Sequence, residues 1–305
     1  MKVKFYDIED NSMIDKSIIN NFYNSANKIQ KIYYKMIYNK CNLITTKEGV
    51  EKLYKFISFN SDEKLNTEKM NTFAKGYLYA SSPLYFNDPY DCELSFNIMD
   101  NYDDFKELVF KGLSLNREER RKFKNKEIER EVRKFQKEIT TDWEKLKKEI
   151  AVCCFTEHVD NFLMWSHYAN CYNGICLEYD KNEIKDYLLA AVKYTNQLES
   201  AIKNISANDL QNENYMKLYM SAIRSVFSKQ IQWSYEKEWR IVISVNSNND
   251  QYIHMPVPKK LYIGFKLDNN IEKEVILKAK QLGIPEIVKT RISTKEYKLI
   301  HEPIK

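Results

Sequence analysis

Glycine and proline are scarce, six of each in 305 residues, and no internal repeat or low-complexity linker interrupts the chain. With no such linker to mark a boundary, one folded unit is the expectation for residues 49–305. Long apolar runs are missing too. No window approaches the roughly 18 consecutive apolar residues of a membrane-spanning helix. The opening MKVKFYDIEDNSMID carries charges where a secretory leader needs an apolar stretch. A membrane partner is therefore not expected, and a cytoplasmic location is. A strong charge imbalance is also lacking. The net charge of +5, from 48 basic and 43 acidic residues, does not demand a polyanionic partner.

Paired-ligand spacing is absent from the cysteines and histidines. Cys153, Cys154, His158, His167, Cys171 and Cys176 lie close together, but their spacings (C-C, C-x3-H, H-x8-H, H-x3-C) match no zinc knuckle. Adjacent cysteines in a strand point to opposite faces, so at most one of Cys153 and Cys154 could serve a common site. Small buried thiols are the simpler account, and no metal is expected. Cys154 with His167 could form a nucleophilic pair, yet nothing marks either thiol as activated. With Cys41 and Cys92, the set reads as reduced thiols of a cytosolic protein.

What is present is a globular balance: 43% hydrophobic and 30% charged residues, enough to build a core rather than a disordered chain. At this length roughly three quarters of the unfolded surface can be buried. Residues 1–48 form a helical extension by their three-and-four periodicity (Ile18, Ile19, Phe22, Ile29, Ile32, Tyr33). Residues 14–38 would pack on the domain, or dock a second copy or an antitoxin. Strands are expected at 52–57, 77–79, 152–157, 174–180, 191–195 and 239–245, the last rich in β-branched residues. LYIGFKL, a helix over 270–282, Gly283 and EIVKTRIS predict a closing strand–helix–strand unit. The segments at about 103–150 and 196–228 read as helical insertions. The basic run at 117–138 could meet nucleic acid, but its acids are interleaved with its bases, which favours solvated helices. The fold class is α+β, a mixed central β-sheet with helical insertions and an N-terminal helical extension.

Three aromatic-rich blocks, 77–93, 152–179 and 229–245, are expected to converge on one small-molecule pocket. In the first, Asn87-Asp88-Pro89 is a polar turn after a strand, able to cap backbone groups or to contact a ligand. In the second, Trp165 and Tyr168 are three apart and share a helix face, with His167 offset. Such rings stack planar ligands as readily as they fill cores. In the third, Glu236, Glu238 and Arg240 alternate onto one side of a strand start, with Tyr235 and Trp239 on the other. Two carboxylates and a guanidinium there fit general-base or ribose-hydroxyl chemistry, or a plain Glu–Arg ladder.

Together LYKF (53–56), LYASSPLYFNDPYDCE (78–93), CFTEHVDNFLMWSHYANCYNGICLEYD (154–180) and WSYEKEWRIVI (233–243) resemble a widespread bacterial family, domain of unknown function 2971. A second resemblance is to the ADP-ribosyltransferase fold. It implies a His or Arg on a first strand, a Tyr or Ser on a second and a Glu opening a later one. The matching segment here is Tyr54-Lys55-Phe56-Ile57-Ser58, so Lys55 stands where relatives carry histidine. Tyr79 or Ser81 fills the second position, and Glu236-Lys237-Glu238 the third. This resemblance implies NAD as substrate, its nicotinamide stacked on Tyr77, Tyr79 or Tyr85. Glu238 would hold the ribose 2′-hydroxyl, with Tyr54, Asn87, Asp88 and Arg240 around the nucleotide and Trp165 and His167 on the acceptor side. It further implies an NAD-consuming transferase or glycohydrolase, an effector in stress or phage defence with a protein or nucleic-acid acceptor. The alternative is a nucleotide-sensing or nuclease-like protein, for which Asp88, Asp91 and Glu93 are the compact acids.

Overall fold

The computed structural model describes residues 49–96, 102–187, 189–200, 216–245 and 251–304. The N-terminal extension expected over 1–48 lies outside the described residues. The chain divides into two compact units. One takes in Ser82–Ile150 and Lys193–Ile231; the other is built from 49–81, Ala151–Val192 and 232–304.

The second unit is organised on an eight-stranded mixed sheet. Its strands are β1 (Lys52–Ser58), β4 (Ile150–Thr156), β5 (Gly174–Asp180), β6 (Leu189–Ala191), β10 (Glu238–Ser244), β12 (Lys260–Ile263), β13 (Glu286–Ile292) and β14 (Leu299–Pro303). Their order is β14-β13-β12-β5-β1-β4-β10-β6. Most neighbours are antiparallel. The β12–β13 pair is parallel, the geometry that the intervening helix α7 (Asn269–Leu282) imposes on a strand–helix–strand crossover. That helix starts on Asp268, whose Oδ1 accepts from the Asn270 and Ile271 amides at 2.8 and 3.3 Å. It stops at Gly283, φ +81°, the left-handed cap that glycine adopts without strain.

Alternation along the strands gives the sheet two unlike faces. One carries Leu53, Cys153, Phe155, Leu177, Trp239, Ile241 and Leu261, packed with Met70 and Phe73 of α1 (Glu63–Ala74) and Val275 and Ala279 of α7. The other carries Tyr54, Phe56, Cys176, Tyr262 and Val288 against Met164 and Trp165 of α5 (Phe162–Tyr168). This second face also holds the buried polar side chains Glu178, Glu238, Arg240 and Thr290. A separate antiparallel ribbon of β2 (Tyr77–Tyr79) and β11 (Tyr252–His254) turns Leu78 and Ile253 into the core and leaves Tyr77, Tyr79 and Tyr252 exposed.

The first unit gathers residues from both expected insertions. It contains α2 (Tyr102–Gly112), α3 (Arg117–Lys122), α4 (Asn125–Lys148) and α6 (Met216–Val226), with the short strands β3 (Leu94–Ser95), β7 (Lys193–Thr195), β8 (Glu199–Ser200) and β9 (Ser228–Gln230). The charged run is amphipathic. Ile128, Val132 and Trp143 of α4 are buried, and of its charged residues Lys147 is buried with them; most of the others face solvent, where Lys145 pairs with Asp142 at 2.9 Å. β3 pairs with β8 and β7 with β9, both parallel; β7 lies in the strand expected at 191–195, while β8 lies within 196–228, where helix was expected.

Candidate functional site

Between β9 and β10 the chain makes a 3-10 turn, Ile231–Glu236, rather than entering the strand directly. Lys237 follows with φ +45°, a left-handed conformation that costs a non-glycine residue on the order of 1 kcal/mol. The twist changes the expected geometry. Glu236 does not alternate with Glu238 along one strand; it ends the turn, and the strand begins at Glu238. Both glutamates are still buried, at 2% and 5% exposure, with Lys237 between them pointing to solvent.

Glu236 is held from two sides. Its carboxylate Oε1 accepts the hydroxyl of Tyr168, the last residue of α5, and its carbonyl accepts the hydroxyl of Thr156 at the end of β4. Asn161 links the same elements. Its Oδ1 caps α5 through the Leu163 amide at 2.9 Å, and its Nδ2 donates to the Tyr235 carbonyl at 2.9 Å. Around this joint the rings of Tyr168, Trp233 and Tyr235 lie 6.4, 6.5 and 6.5 Å from that of His167, which is exposed. The second and third blocks thus meet at a buried carboxylate beside a cluster of four rings.

Glu238 is differently occupied. Arg240, wholly buried, donates Nε to Oε1 at 2.9 Å and Nη2 to Oε2 at 3.0 Å. The pair sits next to Cys154, whose thiol burial pushes well above the usual range, with the Glu238 charge adding to the rise. A third acidic centre lies farther along the same face. Glu178 of β5, 4% exposed, accepts from Tyr262 at 2.6 Å and pairs with Lys52 at 2.8 Å, and Tyr54 also bonds to it. Burial first, and that carboxylate next, hold the Tyr262 hydroxyl far above its ordinary pKa.

The other expected site residues fall elsewhere. Lys55 shares a face with Leu53, Cys153 and Phe155, opposite to Glu238, and its Nζ donates to the Cys154 carbonyl at 3.1 Å. Trp165 is a core ring: it is fully buried, edge-on to Phe56 at 5.0 Å, stacked on Tyr172 at 5.8 Å, and its Nε1 donates to the Val159 carbonyl at 2.7 Å. Tyr77 and Tyr79 are on the β2–β11 ribbon, and Ser81 bridges Val152 near the start of β4. Glu236 is anchored at Thr156, the other end of that strand, four residues or about 13 Å away. Asn87 and Asp88 belong to the other unit, where Asp88 Oδ1 accepts the Tyr90 amide at 2.9 Å in an Asx turn. The first block is therefore split between units. Among its acids, Asp91 pairs with Lys229 and Glu93 with Lys147. Among the described residues, no group of three or more His, Cys, Asp and Glu side chains is placed to hold a metal ion.

Sequence reasoning passed over Glu178 and Asn161. The signal for Glu178 was a charged residue inside the otherwise apolar strand GICLEYD; Asn161 carried only the ordinary helix-start signal.

Among the described residues no helix is long and apolar enough to cross a membrane. No curated protein and no solved structure matches the chain. Residues 164–241, which run from α5 through Glu236, Glu238 and Arg240, match the model of a family described as protein of unknown function (DUF2971), the family that the motifs resemble.

Proposed function

We propose that the Glu236 centre takes the nicotinamide end of NAD and that the protein is a cytoplasmic ADP-ribosyltransferase-like or NAD-glycohydrolase-like enzyme. One observation carries the reading: a carboxylate 2% exposed, hydrogen-bonded to Tyr168, beside the rings of His167, Trp233 and Tyr235. The nicotinamide of NAD is a planar cation, and aromatic faces with a nearby carboxylate suit that shape and charge. As the glycosidic bond to nicotinamide breaks, positive charge moves to the ribose. A fixed, poorly solvated carboxylate stabilises such charge more strongly than water does.

Glu236 takes this role because it is the carboxylate beside the ring cluster, whereas Glu238 is paired with Arg240 on the strand. Tyr168 orients Glu236 in this reading. The Glu238–Arg240 pair fixes the strand start from which the turn departs. In a cell, such an enzyme would drain the NAD pool, which fits an effector acting in stress or phage defence.

The test is nicotinamide release from NAD by the purified chain, wild type against Glu236→Gln and Tyr168→Phe. Glu236→Gln keeps an acceptor for the Tyr168 hydroxyl, so folding is preserved while the charge is lost. A drop of about 100-fold or more is expected in Glu236→Gln, with a smaller one in Tyr168→Phe. No release by the wild type, or equal release by Glu236→Gln, disposes of the reading.

A further inference from the structure

The unit made of Ser82–Ile150 and Lys193–Ile231 has a cavity of its own, of about 230 Å³. It is bordered by Tyr90 and Glu93, by the turn carrying Asn196 and Gln197, and by Lys229 and Gln230 at the end of β9. The parallel pairing of β7 with β9 brings these last two segments side by side.

Three charged side chains line it, Glu93, Glu199 and Lys229, and two of them are matched from behind. The Lys229 side chain is 4% exposed and its Nζ lies 3.4 Å from Asp91 Oδ2, itself 2% exposed. Glu93 is bound by the buried Lys147. An anion entering the cavity would face the carboxylates of Glu93 and Glu199, while the one cation on the wall, Lys229, already has Asp91 as its counter-ion. A phosphate group is therefore disfavoured in it.

The rest of the wall is neutral and, Leu198 apart, polar: it includes three side-chain amides, each offering two donors and an acceptor, and one large ring. Tyr90 is 63% exposed, and its backbone is fixed by the Asx turn at Asp88. A flat ligand with donors and acceptors on its edge and a π-face for Tyr90 satisfies this set. The volume is below the usual range for drug-sized sites, so a dinucleotide does not fit inside it.

We propose that this cavity binds an uncharged nucleobase or nucleoside, separately from the chemistry at Glu236. The experiment is calorimetric titration of the full chain with adenine, guanine, cytosine and uracil, their ribonucleosides and the matching 5′-monophosphates. At least one base or nucleoside is expected to bind saturably, its monophosphate no tighter. Tyr90→Ala, an exposed position that spares the fold, is expected to weaken it at least tenfold, and Gln230→Ala to weaken it as well. Tyr168→Phe should leave that binding unchanged, which separates it from any binding at Glu236. The proposal is overturned if no base or nucleoside binds at millimolar concentration, or if Tyr90→Ala binds within twofold of wild type. Tighter binding of a monophosphate at low salt would overturn it too, since that marks an anion site on Lys229.

Discussion

Arg240 meets Glu238 side by side on β10, nitrogen to oxygen at 2.9 and 3.0 Å, with the guanidinium wholly removed from solvent. A bidentate pair in this setting is costly to desolvate and costlier to halve. Arg240→Met is expected to lower stability by about 3–5 kcal/mol, because a buried carboxylate loses its main counter-charge. The double variant Glu238→Leu with Arg240→Met should cost clearly less than the sum of the two single changes. Urea unfolding of all four proteins reads this directly, and additive losses would contradict it.

Tyr262 and Tyr54 supply an alkaline limit. Burial, then their bonds to Glu178, raise both hydroxyls above the ordinary 10.0. The folded protein thus holds protons that the unfolded chain releases. Stability from these groups is complete below pH 10 and falls as pH rises from there toward the folded values. Each tyrosine contributes about 1.4 kcal/mol per pH unit in that window. Tyr262→Phe should therefore flatten the decline above pH 10, while at pH 7 it costs about 1–3 kcal/mol through the donor lost to Glu178. Denaturant midpoints between pH 7 and 11 measure both effects.

Gly264 has no room for a side chain. A Cβ there would lie 2.1 Å from the Tyr172 carbonyl, and backbone cannot swing aside as a flexible side chain can. The close approach matters because Lys266 donates to that same carbonyl at 3.2 Å and Gly264 to the Gly174 carbonyl at 2.9 Å. Gly264→Ala is expected to destabilise by about 2–4 kcal/mol. The shift should appear in the urea midpoint with the slope unchanged.

Thiol chemistry should single out Cys171. It is exposed, whereas burial pushes the thiols of Cys153, Cys154 and Cys176 up and keeps them protonated. In a Cys41→Ser background, the native protein should show one fast-reacting thiol towards an aromatic disulfide reagent at pH 8. Cys171→Ser should abolish that phase, and denaturant should release the remaining thiols. Rapid native labelling of Cys154 would show that its strand opens.

The sequence disclosed elements more readily than their meeting points. WRIVISV announced β10 by its β-branched residues, and Gly283 marked the end of α7, since caps are local chemistry. The turn at 231–236 was hidden, because no glycine advertises the left-handed step, which falls on Lys237. Alternation correctly set Glu238 and Arg240 on one side of their strand. It could not say that Lys55, two strands away in the sheet order, faces the other way, because that depends on the register between strands. Glu178 and Tyr262 are 84 residues apart, and only the pairing of β5 with β12 makes them neighbours.

The chain has four tryptophans, and three of them, Trp143, Trp165 and Trp239, are buried; Trp233 alone is half-buried, its ring 6.5 Å from that of His167. Nature has in effect fitted the Glu236 centre with its own optical probe. Collisional quenchers reach Trp233 in preference to the others. The fraction of emission that iodide can extinguish is therefore a gauge of this one corner of the molecule, readable in dilute solution without any label.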